Sequence, residues 1–82
     1  MNISIFVHFF MEDKDMPVSY KKLWILLAQK EMSKADLRKT AGFSSATLTK
    51  LNNNEIVALS VLIKICNVLK CDIGDVMEIS RG

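Results

Sequence analysis

The stretch that decides the fold is DLRKTAGFSSATLTKL, residues 36–51, where a helical pattern stops at a glycine and restarts directly behind a serine. Gly42 can adopt the positive φ that ends a helix, and Phe43 follows it as an apolar residue for the turn. Ser44 is then a suitable N-cap for the next helix. Ser and Thr are poor helix formers, so their abundance in residues 44–49 needs a reason other than helix propensity.

Two short helices are predicted on either side of this turn. Ser33 begins S-K-A-D, a serine followed three residues later by an acid, and this predicts a helix over Lys34–Ala41. The second helix is predicted over Ser45–Asn52. Small and aliphatic side chains of both helices are expected to face the core: Ala35, Leu37 and Ala41 on the first, Leu48 and Leu51 on the second.

Three more helices are predicted around this pair. Ser19 is expected to cap a helix near residues 20–30, and Trp24 lies at the edge of its apolar stripe. A helix over Leu59–Leu69 follows a turn-prone Asn run, and Asp72 is expected to cap a last short helix. The helix near Leu59–Leu69 carries the apolar residues Leu59, Leu62, Ile63, Ile65, Cys66 and Leu69. The predicted fold class is therefore all-α, with five helices.

The N-terminal segment has a different pattern. Residues 3–11, ISIFVHFFM, alternate with the period of a strand, are too short to span a membrane and lack the features of a signal peptide. Two interpretations stay open. Either Met16 is the natural start and residues 1–15 are an upstream extension, or residues 3–11 form a β-arm that pairs with another edge, such as its copy in a second subunit.

Composition restricts the class of protein. The 82 residues suffice for one domain with a modest core, so oligomerisation is expected, and residues 16–82 are predicted to be that domain. Cys66 and Cys71 are too few for a disulfide framework and match no zinc spacing, while the only histidine, His8, is far away. The two cysteines are expected to be a buried pair of thiols in the cytoplasm, with neither a metal nor a cofactor.

Positive charge gathers around the opening stretch. Residues 16–54 contain seven Lys and Arg against two Asp and Glu, whereas the remainder contains four against seven. A solvated helix surface explains such an excess by itself, unless the basic residues share a face with a recognition element.

Two short helices joined by a tight glycine turn form a helix-turn-helix, whose second helix lies in the DNA major groove. This geometry requires a small residue before the turn and an apolar one after it, as Ala41 and Phe43 provide. Short or flexible side chains occupy the outward positions of the second helix, where base edges would lie: Ser45, Ala46, Thr49 and Lys50. The Ser and Thr residues thus cap this helix and fit close to DNA.

The sequence resembles the Cro/phage-repressor type (XRE-like) helix-turn-helix transcriptional regulators over residues 20–78. Two stretches account for this resemblance: MSKADLRKTAGFSSATLTKL at residues 32–51 and VLIKICNVLKCDIGDVMEI at residues 61–79. This resemblance implies a five-helix, lambda-repressor-like domain that binds double-stranded DNA as a homodimer and regulates transcription, most often as a repressor. The sequence departs from the family pattern at Arg38, a position that is often Ala.

The resemblance also implies roles for individual residues. Base reading falls on Ser45, Ala46, Thr49 and Lys50. Lys34 takes the place of a Gln that contacts phosphate, and Asn54 replaces the usual Gly of the following turn. Contacts to the phosphate backbone are therefore expected from Lys34, Ser44, Thr47, Asn53 and Asn54.

The alternative to DNA reading is a protein-interaction module of helix-turn-helix shape, antitoxin-like or anti-repressor, which binds through Phe6, Phe10 and Trp24. An enzyme is not expected, because the sequence contains no catalytic triad, metal cluster or phosphate loop. The sequence therefore favours a small cytoplasmic DNA-binding regulator, with no membrane association and no small-molecule ligand.

Overall fold

Four α-helices, one 3₁₀ turn and a two-stranded antiparallel sheet make up residues 18–80, the part that the computed structural model describes. In chain order they are β1 (Val18–Ser19), α1 (Lys21–Gln29), α2 (Lys34–Ala41), α3 (Ser45–Asn52), α4 (Leu59–Leu69), the 3₁₀ turn (Ile73–Asp75) and β2 (Glu78–Ile79). The predicted extension or β-arm in residues 1–15 lies outside the described residues.

The sheet changes how α1 begins. Val18 lies opposite Ile79 and Ser19 opposite Glu78, so the chain is still extended where Ser19 was predicted to cap the helix. Tyr20 is the N-cap instead and makes no side-chain cap hydrogen bond. Ser19 retains one local contact, because its Oγ accepts from the backbone N–H of Lys21 at 3.3 Å. The predicted serine cap is therefore wrong by one residue, since the strand pairing involves Ser19.

The boundaries of α2 and α3 agree with the prediction. Gly42 has a φ of 81° and its N–H donates to the carbonyl of Arg38 at 2.9 Å, which ends α2 in the left-handed conformation. Ser44 caps α3, since its Oγ accepts from the N–H of Thr47 at 3.1 Å. Phe43 between them is buried, as expected for the apolar residue of the turn.

The core is a single cluster to which every α-helix contributes. Leu37 of α2 and Leu51 of α3 have no exposed surface and thereby set how these two helices meet. The buried residues are Val18, Tyr20, Leu23, Leu27, Leu37, Phe43, Leu51, Leu62, Ile65, Leu69 and Val76. Ala35 was predicted to face inward but is exposed. It precedes Leu37 by two residues and so lies on the opposite side of α2.

Helix α4 buries one face and exposes another that is also apolar. Leu62, Ile65 and Leu69 are buried. Leu59 and Ile63 of the same helix are 60% and 52% exposed. At 100° per residue, Leu59 and Ile63 lie well round the helix from Ile65, so both sets cannot face the same core.

The two cysteines lie at the C-terminal end of α4. The carbonyl of Cys66 accepts from the N–H of Lys70, which has a φ of 56°, and from the N–H of Cys71 at 3.1 Å. This double acceptance brings the two cysteines together at the helix end. Both are free thiols that are half-buried rather than fully buried, and burial raises the pKa of Cys66.

The fifth helix of the prediction is only a 3₁₀ turn of three residues, so the five-helix expectation is wrong for the described residues. Its cap is as predicted, because Asp72 Oδ1 accepts from the N–H of Ile73 at 3.1 Å and Asp75 Oδ2 accepts from the N–H of Asp72 at 2.9 Å. Gly74 lies within this turn, and because glycine disfavours an α-helix, the element stays short. The all-α helix-turn-helix class is confirmed, with the short sheet as an addition.

Replacing Gly42 by Ala is expected to lower the free energy of unfolding by about 1–2 kcal/mol, because an L-residue is strained at this positive φ. Urea unfolding measures the effect. Gly74→Ala is the matched control, since a Cβ at either glycine meets nothing within 4 Å and only Gly42 has a positive φ. Equal losses in the two variants would contradict the argument from backbone conformation.

Candidate nucleic-acid interface

Helix α3 presents a polar side to solvent and an apolar side to the core. The four side chains predicted to read bases, Ser45, Ala46, Thr49 and Lys50, are all exposed. Leu51 is buried without exposed surface and Leu48 is half-buried, so the helix is docked on its opposite side. Exposure is a requirement for contact with DNA, and the base-reading role of these residues stays a prediction.

The hydroxyl groups of this segment are partly engaged within it. Ser44 Oγ accepts from the N–H of Thr47 and donates to Thr47 Oγ1, both at 3.1 Å. Thr49 Oγ1 donates to the carbonyl of Ser45 at 3.1 Å. The Thr47 hydroxyl therefore has its own proton left to donate, whereas the Thr49 hydroxyl is left with acceptor lone pairs and an adjacent methyl group.

Lys34 connects three helices. Its Nζ lies 4.1 Å from the centre of the Trp24 ring in α1 and donates to Asn52 Oδ1 in α3 at 2.7 Å. The cation–π contact and the hydrogen bond together hold the ammonium group beside the end of α3. Trp24 and Asn52 thus fix the position of the Lys34 charge, which is predicted to contact phosphate.

The first turn of α2, which carries Lys34, is fixed by a capping box. The N–H of Asp36 donates to Ser33 Oγ at 3.0 Å, and the N–H of Ser33 donates to Asp36 Oδ2 at 3.2 Å. The hydrogen bonds from the Ser33 side chain and backbone lower the pKa of Asp36, and Lys39 adds a smaller effect. The carboxylate form of Asp36 is therefore favoured in the folded protein.

The Asn run after α3 makes a turn that is attached to α1. Asn54 has a φ of 56°, the left-handed conformation expected where the family has Gly. Its Oδ1 accepts from the N–H of Tyr20 at 3.1 Å, so this oxygen is engaged in the fold. Asn53 is exposed at the C-cap of α3. The phosphate contacts predicted for Asn53 and Asn54 stay predictions.

Several residues that shape this region were not singled out for it from the sequence. Asn52 and Trp24 were expected to be a turn residue and a core-edge aromatic, yet both hold Lys34. Arg38, half-buried, donates from Nη1 to the carbonyl of Phe43 at 3.5 Å within the turn. Lys34 and Asn52 are separated by 18 residues, so no local pattern indicates their contact.

The net charge of residues 33–54 is positive, which suits an anionic partner. Residues 33–54 contain four Lys and Arg against one acid. Within residues 18–80, no three His, Cys, Asp or Glu side chains come together in a way that suits a metal ion. Among these same residues, no helix has the length and apolar character needed to cross a membrane.

Comparison with known proteins identifies the family. A family model described as the Cro/C1-type HTH DNA-binding domain matches residues 22–81. The chain belongs to this family. The resemblance to Cro/phage-repressor regulators is thereby confirmed, and so is DNA as the partner.

Two relatives agree with this family. The uncharacterized HTH-type transcriptional regulator YozG of Bacillus subtilis (strain 168) is 38% identical over 56 residues, which are 66% of this chain and 67% of the relative. The crystal structure of transcriptional regulator VanUg, Form II, matches with a TM-score of 0.74 at 50% identity, covering 76% of this chain and 83% of that chain. The predicted function in DNA-binding transcription regulation is confirmed, and nothing in these matches favours the protein-interaction alternative.

Acidification is expected to weaken the fold through Asp36. Because the folded-state pKa of Asp36 lies below 3.8, its capping contribution is fully present above that pH and is lost as the pH falls through the folded-state pKa. Urea unfolding over a pH series measures this. The stability difference between the wild type and Asp36→Asn should be largest near neutral pH and shrink in acid, and Ser33→Ala should lose the same acid-dependent component. A difference that stays constant with pH would contradict the linkage.

Proposed function

We propose that this protein is a sequence-specific repressor of transcription that inserts α3 into the DNA major groove. The observation that carries the proposal is the exposure of Ser45, Ala46, Thr49 and Lys50 on a helix whose other side is docked through Leu51. Repression follows from occupancy, because a folded domain seated on DNA blocks access of other proteins to the same site. The relatives named as transcriptional regulators support the regulatory role.

Each outward side chain suits a particular kind of base contact. Lys50 can donate to the O6 and N7 acceptors of guanine. Thr49 has its hydroxyl proton committed to Ser45, so it suits acceptance from an exocyclic amine or contact of its methyl with thymine. Ala46 offers only a methyl group, and selectivity therefore rests on few direct contacts together with DNA shape.

Backbone contacts surround α3 at both ends. Lys34 stands beside the C-terminal end of α3, held there by Trp24 and Asn52. Thr47 beside Ser44 has a hydroxyl proton left for a phosphate oxygen, and Asn53 and Asn54 follow the helix. These contacts position the domain on the duplex without reading its sequence.

The functional form is proposed to be a homodimer in the cytoplasm, where it acts on DNA without enzymatic activity and without a small-molecule ligand. Residues 16–82 are proposed as the DNA-binding domain, with residues 1–15 as an extension of it. A two-fold dimer would bind two related half-sites about 34 Å apart, one helical turn. The core formed by residues 18–76 is modest, so contact with a second subunit would also stabilise the fold.

Selection of bound fragments from random double-stranded DNA, at low and high salt, tests the proposal directly. Enrichment of two related half-sites about one helical turn apart, with affinity that falls steeply with salt, is the expected result. Absence of any enriched sequence together with weak salt dependence would overturn the proposal.

Lys34→Ala is expected to weaken binding about equally on all DNA sequences and to lower the slope of log affinity against log salt by roughly one unit. Binding isotherms at several salt concentrations measure the slope. Lys30→Ala, which removes a lysine from the groove between α1 and the end of α4, should leave the slope unchanged. Because Lys34 also contacts Trp24 and Asn52, urea unfolding checks that both variants fold. An unchanged slope in folded Lys34→Ala would refute the assigned contact.

Lys50→Ala is expected to change which sequences are preferred. The loss should be about 1–3 kcal/mol on the selected site and smaller on sites altered at one base position. Repeating the fragment selection with this variant measures the change. A uniform loss on all sequences, like that expected for Lys34→Ala, would place Lys50 on the phosphate backbone instead.

A further inference from the structure

An unpartnered apolar surface follows α3 along the chain. Ile56 in the connecting loop is 47% exposed, Leu59 at the start of α4 is 60% exposed, and Ile63 one turn later is 52% exposed. We call these three residues the α4 patch. Leu59 and Ile63 are four residues apart, which is the spacing of one helix face, and Ile56 precedes them in the loop. Large aliphatic side chains grouped in this way on a small domain indicate an interaction surface.

The composition of α4 supports burial on both sides. Its eleven residues, LSVLIKICNVL, include one charged side chain, Lys64. The core covers Leu62, Ile65 and Leu69, while the face with Leu59 and Ile63 is left to solvent. A helix that is apolar around most of its circumference is typical of one covered on more than one side.

Side chains of opposite charge flank the patch in the sequence. Glu55 directly precedes Ile56 at one end, and Lys64 directly follows Ile63 at the other. Both side chains are exposed. If two copies pack antiparallel about a two-fold axis through Leu59, Glu55 of each copy approaches the partner's Lys64. Such an interface is self-complementary, as a two-fold dimer requires.

We infer that the α4 patch is the surface through which two copies of this chain form a two-fold dimer. The inference rests on the proposed function for its purpose, since it links the positions of two α3 helices. The patch begins four residues after α3 ends at Asn52. In a dimer joined by this patch, only the loop of residues 53–58 separates each α3 from α4 in the chain.

The second copy suits the patch better than residues 3–11 alone do. Residues 3–11 are ISIFVHFFM, which contain no acid or lysine to meet Lys64 and Glu55. An occupant of that composition covers the apolar side chains and leaves both flanking charges without a partner. A second α4 patch covers the same side chains and provides both charges.

The principal test is Ile63→Lys in the full-length chain, followed by sedimentation equilibrium over a concentration series. The wild type is expected to be dimeric, and the variant to dissociate at least 100-fold more readily, because the interface would bury one ammonium group per copy in place of an isoleucine side chain. Ile25→Lys is the matched control. Ile25 is an isoleucine with 49% exposure, but it lies on α1 in a groove at the other end of α4.

Charge exchange provides a second test that a folding defect cannot imitate. Glu55→Lys and Lys64→Glu should each weaken the dimer by roughly 10-fold, and the double variant should recover it. The carbonyl of Glu55 that accepts from Tyr20 belongs to the backbone, so it is retained in these variants. Failure of the double variant to recover assembly would overturn the antiparallel arrangement.

Further outcomes separate this inference from its rivals. A dimer that survives Ile63→Lys but is lost in Val7→Lys would show that residues 3–11 make the interface, and would refute the inference. A wild-type chain that stays monomeric at high concentration would refute it too.

DNA affinity is measured separately: Ile63→Lys should retain affinity for one half-site and lose cooperative binding to two. If the wild type binds no half-site, the proposed function fails while the sedimentation result still decides the interface.

Discussion

Tyr20 holds the loop behind α3 through two hydrogen bonds, and the orientation of α3 depends on them. Its N–H donates to Asn54 Oδ1 at 3.1 Å and its hydroxyl donates to the carbonyl of Glu55 at 2.7 Å. Tyr20 is 1% exposed, and burial raises the pKa of its phenol, so the hydroxyl keeps the proton that it donates. Leaving the buried Tyr20 hydroxyl unpaired would cost about 1–3 kcal/mol. The start of α1 thus fixes where α3 ends.

The turn chemistry explains how a small core supports a defined surface. Leu37 and Leu51 set the contact between α2 and α3, while Ser33, Ser44 and Gly42 determine where these helices begin and end. Hydrogen bonds inside α3 orient the hydroxyl groups before any ligand arrives. A surface ordered in this way loses little conformational entropy on binding, which favours affinity from few contacts.

Local signals in the sequence were sufficient for α2, α3 and their caps, because these depend on residues close together in the chain. The strand of Val18–Ser19 could not be predicted, since it exists only through pairing with Glu78–Ile79. The contact of Lys34 with Trp24 and Asn52 depends likewise on packing of distant helices. The apolar residues of α4 lie on two faces, of which the core covers only one. A hydrophobic residue is expected to be buried, but hydrophobicity alone does not indicate which other surface covers it.

The contact between Lys34 and Trp24 has a consequence for observing the molecule. Trp24 is the only tryptophan in the chain, and it is half-buried beneath the ammonium group at 4.1 Å. Indole emission responds to a charge at this range, so any event that draws the ammonium away alters the fluorescence of that ring. The protein therefore contains an intrinsic optical reporter of the state of Lys34, and no dye is needed to follow it.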